Sequence, residues 1–182
     1  MNTNNHNEDS WDVYIKKIRA RCRDIVYPLT ANLELTPRCN FNCKMCYVHL
    51  TNEQLNEIGK EHTASEWIDL GKQLRDAGTL TLLLTGGEVF IRNDFQEIYE
   101  AFSEMGFVLA IYTNGYLVDK NVLSWLSKRP PMRFRISMYG ASNETYEKVT
   151  GIKDGFDKVT ENIKLIKEAG IPLSLNATFI ED

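Results

Sequence analysis

Short apolar runs alternate with longer amphipathic stretches through most of this chain, and that alternation leaves few architectures open. Residues 80–85, 107–112, 133–139 and 173–179 are of strand length, and a shorter run covers 33–35. Between them, hydrophobic residues recur at helical spacing: Trp67, Leu70 and Leu74, then Phe95, Ile98, Tyr99 and Phe102, and later Phe156, Val159, Ile163 and Ile166. Thr63 with Glu66 reads as a capping box, Asp94 with Glu97 as a second helix opening, and Gly78, Gly106 and Gly170 as helix stops. A third helix is predicted over 119–127. Strands alternating with helices in this way predict βα units and a parallel sheet, wound right-handedly. Five strands and four crossover helices are expected.

The flanks carry less. Residues 1–10 are Asn-rich and predict disorder, and Trp11, Tyr14, Ile15 and Ile18 predict a short helix before Pro28. The boundaries expected are therefore a lead-in over 1–28 and a core over 29–182. Glu53, Glu57 and Glu61 read as one solvated helical face or a mobile loop rather than a metal-binding row. With 43% hydrophobic and 25% charged residues, a chain of this length can bury a proper core. A net charge of −4 without a basic patch argues against nucleic acid or an anionic membrane as partner. No run reaches membrane-spanning length, no signal-peptide core is visible, and a cytoplasmic protein is expected.

Three cysteines, Cys39, Cys43 and Cys46, fall within eight residues directly after the first strand. Thiolates this close cannot all pair as disulfides, but they can converge on a soft metal or on the irons of a cluster. A [4Fe–4S] cube usually takes four cysteines, so three leave one iron open to a substrate. The competing reading is a structural zinc held by the same three and His49. The fourth cysteine, Cys22, reads as an ordinary small residue outside the site.

In a parallel barrel or half-barrel every strand-to-helix loop emerges on one rim. The cysteines leave the first strand there, Gly86-Gly87-Glu88 the second, Thr113-Asn114-Gly115 the third, and Ser137 to Gly140 the fourth. Two glycines let a ligand approach the backbone, and Glu88 offers a charge for an ammonium group. Asn114 also has the simpler role of a turn former. On the fourth strand Arg133, Arg135, Ser137 and Tyr139 alternate with apolar residues, which predicts a concave face holding a polar ligand. The fifth strand alternates similarly through Ser174, Asn176 and Thr178, and fits either such a face or a wet edge.

The cysteine spacing, with Met45 and Tyr47 flanking Cys46, and the three further loops in the same order resemble the radical SAM superfamily over about residues 30–180. The resemblance implies a partial (β/α)6 TIM-like barrel of which five of six units are present. It implies a [4Fe–4S] cluster on Cys39, Cys43 and Cys46, and S-adenosylmethionine cleaved reductively there to a 5′-deoxyadenosyl radical. Gly86, Gly87 and Glu88 would take the cofactor's amino group, Ser137 its ribose or carboxylate, and Asn114 its adenosyl portion, with Tyr47 also at the cofactor. Two departures stand out: Val89 replaces the usual proline, and Lys153 lies where many relatives carry an arginine. The lead-in to Cys39 and residues 146–156 look most like the subgroup that modifies peptides or proteins and carries a SPASM extension. A peptide or protein substrate and an electron donor such as flavodoxin or ferredoxin are implied. With only five strands before residue 182, a fragment, or a core completed by a partner, is expected.

Overall fold

The computed structural model describes residues 11–21, 27–48 and 50–177. The expectations for residues 1–10, Cys22, His49, Thr178 and Phe179 lie outside those residues. Five strands form one sheet in sequence order: β1 (Thr30–Glu34), β2 (Thr81–Thr85), β3 (Val108–Thr113), β4 (Arg133–Met138) and β5 (Leu173–Ala177). Every neighbouring pair is parallel. The helices are α1 (Trp11–Arg21), α2 (Asn52–Ile58), α3 (Ala64–Asp76), α4 (Phe95–Glu104), α5 (Lys120–Leu126), α6 (Asn143–Thr150) and α7 (Gly155–Glu168).

Register explains how the two faces differ. Leu33, Leu84, Ile111, Phe134 and Leu173 are mutual neighbours across all five strands. Leu84, Ile111 and Phe134 are fully buried, as are Ile98 and Phe102 of α4, Leu126 of α5 and Val159 and Ile166 of α7. Each such side chain contributes about 1.5–3 kcal/mol on leaving water. One residue further along each strand the chain points the other way. There Tyr112, Arg135 and Ser174 are neighbours, and the Arg135 guanidinium lies 4.7 Å from the Tyr112 ring centroid. This face is polar, as the alternation in β4 predicts.

Helix ends are set locally. Thr63 and Glu66 make the full capping box at α3. Asp94 does not cap α4, because its carboxylate is taken by the Arg92 guanidinium, Nε–Oδ1 2.9 Å and Nη2–Oδ2 2.7 Å. A charge-assisted pair outcompetes a backbone N–H for that oxygen. The expected count of four crossover helices is exceeded: α6 forms within the β4-to-α7 connection, capped by Ser142, whose hydroxyl accepts from Thr145 N, and closed by Gly151 at φ +79°. A short 3-10 turn, Val89–Ile91, also follows the double glycine. Among the described residues β5 pairs only with β4, and Leu175 is 52% exposed although its register partner Ile136 is fully buried.

Candidate active site

The loop leaving β1 is stitched to the loop leaving β2 by main-chain bonds. Leu35 N donates to Thr85 O at 2.9 Å, Gly87 N to Thr36 O at 2.7 Å, and Glu88 N to Arg38 O at 2.9 Å. The two glycines make this possible: a Cβ at Gly86 would strike the Thr36 carbonyl and one at Gly87 the Arg38 carbonyl. The space they vacate is thus filled by the chain leading to Cys39. Gly86 in addition sits at φ +145°, a conformation L side chains rarely adopt.

On its other side the cysteine loop leans on α6. Asn42 N donates to Thr150 O and Lys44 N to Val149 O, both at 3.0 Å, so carbonyls left over at the helix end find partners in the loop. Phe41, 4% exposed, anchors it between the edges of Tyr116 and Tyr139. Beneath lies a charged clamp that sequence reasoning missed. Glu61 accepts from Arg38 Nε and Nη2, both at 2.8 Å, and from the Thr36 hydroxyl. Buried Arg92 donates to Leu35 O at 2.8 Å and His62 O at 2.9 Å. Glu61 is therefore turned inward and does not belong to the solvated face expected of its four-residue spacing; α2 already ends at Ile58.

The three thiols, Gly86, Gly87, Asn114, Ser137 and Tyr47 all line one cleft of about 280 Å³. A larger hollow of about 650 Å³ along acidic α4 is wide open and holds none of them. Among the described residues no three His, Cys, Asp or Glu side chains already stand in metal-holding geometry. Burial, reinforced by Cys39 nearby, pushes the Cys43 thiol up to about 11, and burial likewise raises Cys39. Tyr139 is raised mainly by burial, with the Cys43 thiol nearby adding to it.

Glu88 is placed differently from expectation. It is fully buried and lies outside the cleft lining. Its carboxylate accepts from the Thr113 hydroxyl at 2.8 and 2.9 Å, Asn114 N at 2.8 Å and Phe90 N at 3.2 Å. Its acceptor capacity is directed inward, tying the β2 and β3 loops together. Burial favours its neutral form, opposed by these donors. Asn114 is buried too, its Oδ1 accepting from Tyr116 N at 3.0 Å and its Nδ2 donating to Asn40 Oδ1 at 2.8 Å. Lys153 stays on the surface between α6 and α7.

This donor set fits an iron–sulfur cluster. Three soft thiols share one cleft, and the Asn114 side-chain amide lies beside the Cys39 sulfur, Nδ2 to Sγ 3.7 Å, as a donor to a ligating thiolate. A parallel α/β sheet with a thiol-bearing loop at the carboxyl end of its first strand defines a class of enzyme built on rim loops. The chain belongs to the Radical SAM superfamily, whose sequence profile matches residues 33–181. It is 29% identical over 163 residues to a PqqA peptide cyclase of Bradyrhizobium diazoefficiens, covering 90% of this chain and 42% of the relative. It is 32% identical over 146 residues to a probable GTP 3′,8-cyclase of Saccharolobus solfataricus, covering 79% and 46%. The crystal structure of Streptococcus suis SuiB bound to its precursor peptide SuiA superposes with a TM-score of 0.74 at 21% identity, over 100% of this chain and 42% of that one, and shows the same fold. The chain thus spans less than half the length of these relatives.

Proposed function

We propose that the chain holds a [4Fe–4S] cluster through Cys39, Cys43 and Cys46, binds S-adenosylmethionine beside it, and acts on a peptide. The observation that carries this reading is the meeting of three thiols and the Gly86–Gly87 backbone in a single cleft. When bound, the cluster supplies an electron that cleaves S-adenosylmethionine and yields a hydrogen-abstracting 5′-deoxyadenosyl radical. The protein's own part is positioning. The Gly86 and Gly87 backbone offers polar groups to the cofactor's amino acid end, Ser137 offers a hydroxyl to its ribose or carboxylate, and exposed Tyr47 closes over the outer side. Glu88 acts from behind, holding the β2 and β3 loops at fixed spacing. An aromatic wall of Phe41, Tyr139 and Tyr112 limits water around the thiols.

A peptide substrate is favoured because the peptide cyclase matches a larger share of the chain than the nucleotide cyclase does. The electron is expected from a small donor such as flavodoxin or ferredoxin, in a reducing compartment such as the cytoplasm. Among the described residues no helix is long and apolar enough to cross a membrane.

The test is anaerobic reconstitution with iron and sulfide. A brown protein with about four irons, bleached by dithionite and releasing 5′-deoxyadenosine from S-adenosylmethionine, supports the reading, and alanine at any of the three cysteines should abolish the colour. A colourless protein holding one tight zinc overturns it. Supplying peptides against GTP, with turnover of the nucleotide alone, would overturn the substrate class and leave the cofactor assignment standing.

A further inference from the structure

We infer that Asn114 tunes the cluster: its side-chain amide donates a hydrogen bond to the Cys39 sulfur, and this makes the cluster easier to reduce. The inference rests on the cluster assignment above and concerns what this chain's own residues do to it.

The orientation of the amide is fixed by its surroundings. Asn114 Oδ1 accepts from the main-chain N–H of Tyr116 at 3.0 Å, so a flipped amide would set two donors against each other. Nδ2 must then face the other way, where one hydrogen reaches Asn40 Oδ1 at 2.8 Å and the second points to Cys39 Sγ at 3.7 Å. The residue cannot swing aside, because its own N–H is held at 2.8 Å by the buried Glu88 carboxylate and its neighbours Thr113 and Gly115 are bound into the same turn. Cys39 also receives Phe41 N at 3.4 Å. The sulfur therefore accepts from two N–H groups, one of them supplied by the loop after β3, 75 residues further along the chain.

A second observation points the same way. Asn40 Oδ1 accepts from Asn114 Nδ2 at 2.8 Å and lies 3.9 Å from Cys39 Sγ. Asn40 thus positions the Asn114 amide beside Cys39. Reduction adds negative charge to the irons and their sulfurs, and N–H donors stabilise the more negative state. An acidic residue at position 114 would set a negative charge beside the sulfur in place of a donor and should act in the opposite direction.

The experiment is a potentiometric titration, followed by electron paramagnetic resonance, of the reconstituted chain without S-adenosylmethionine. Asn114→Ala should move the midpoint to more negative potential with four irons retained, Asn114→Asp further still, and Asn40→Ala by a smaller amount in the same direction. In the unsubstituted protein, iron–thiolate stretching bands in resonance Raman spectra should shift in deuterated solvent, and Asn114→Ala should reduce that shift. Variants with intact clusters and an unmoved potential overturn the inference. Should the variants fail to assemble, the isotope measurement on the unsubstituted protein decides it, and no deuterium sensitivity overturns it. A protein that takes up no cluster at all overturns the functional assignment itself.

Discussion

At the scale of the residue, the site depends on what Gly87 lacks. A methyl group there meets the Arg38 main chain, which cannot rotate out of the way as a side chain would. Gly87→Ala should lower stability by about 1–3 kcal/mol, the usual cost of overpacking, read as a lower urea midpoint, and reduce the iron retained after reconstitution. Glu88 is a second such point. Glu88→Ala leaves the Thr113 hydroxyl and the Asn114 N–H buried without an acceptor, at about 1–3 kcal/mol for each unpaired group, whereas Glu88→Gln keeps one oxygen in place and should cost less. Urea titrations of the two variants check this order. The double glycine and its glutamate stood out in the sequence as a candidate site. Their inward use did not, because which loop fills the space beside a glycine depends on residues fifty positions away.

At the scale of elements, the cysteine loop is held between a helix and a charged clamp. Arg92 is almost wholly buried and serves two carbonyls and Asp94, so Arg92→Ala should destabilise the fold by about 3 kcal/mol through uncompensated buried polar groups. The Arg38 guanidinium beside Glu61 holds that carboxyl below its ordinary value. The sign follows: this pair stabilises the fold fully above the unfolded value of about 4.3 and ceases to do so as pH falls through the lower folded value. The pair is partly exposed and its share is about 1 kcal/mol or less. Urea midpoints measured from neutral pH downward should fall more steeply for the parent than for Glu61→Gln in that window. At the far edge, Leu175→Lys should reduce self-association of the chain in sedimentation, since exposed apolar strand edges pair with one another. Helix α6 escaped notice because eight residues give too short a period to read, although Ser142 and Gly151 mark both its ends.

At the scale of the whole molecule, ligand binding and folding are linked. A cluster bound only by the folded chain should raise the thermal midpoint measured anaerobically by circular dichroism, and a Cys43→Ala variant should lose that increment. The sheet order follows from local patterns repeated along the chain. Strand-length apolar runs, helix caps and glycine stops are properties of neighbours in sequence, so five strands and their parallel winding could be read directly. The cysteine triplet could be read as well, since its three members share one loop. Partners brought from distant segments were decided only by the tertiary structure: the Thr36–Gly87 stitch, the Arg92 clamp, the inward turn of Glu88 and the Asn114 amide at Cys39. Hydrogen bonds and burial act through space, and a one-dimensional pattern shows which residues are able to make them, whereas the folded chain selects which ones do.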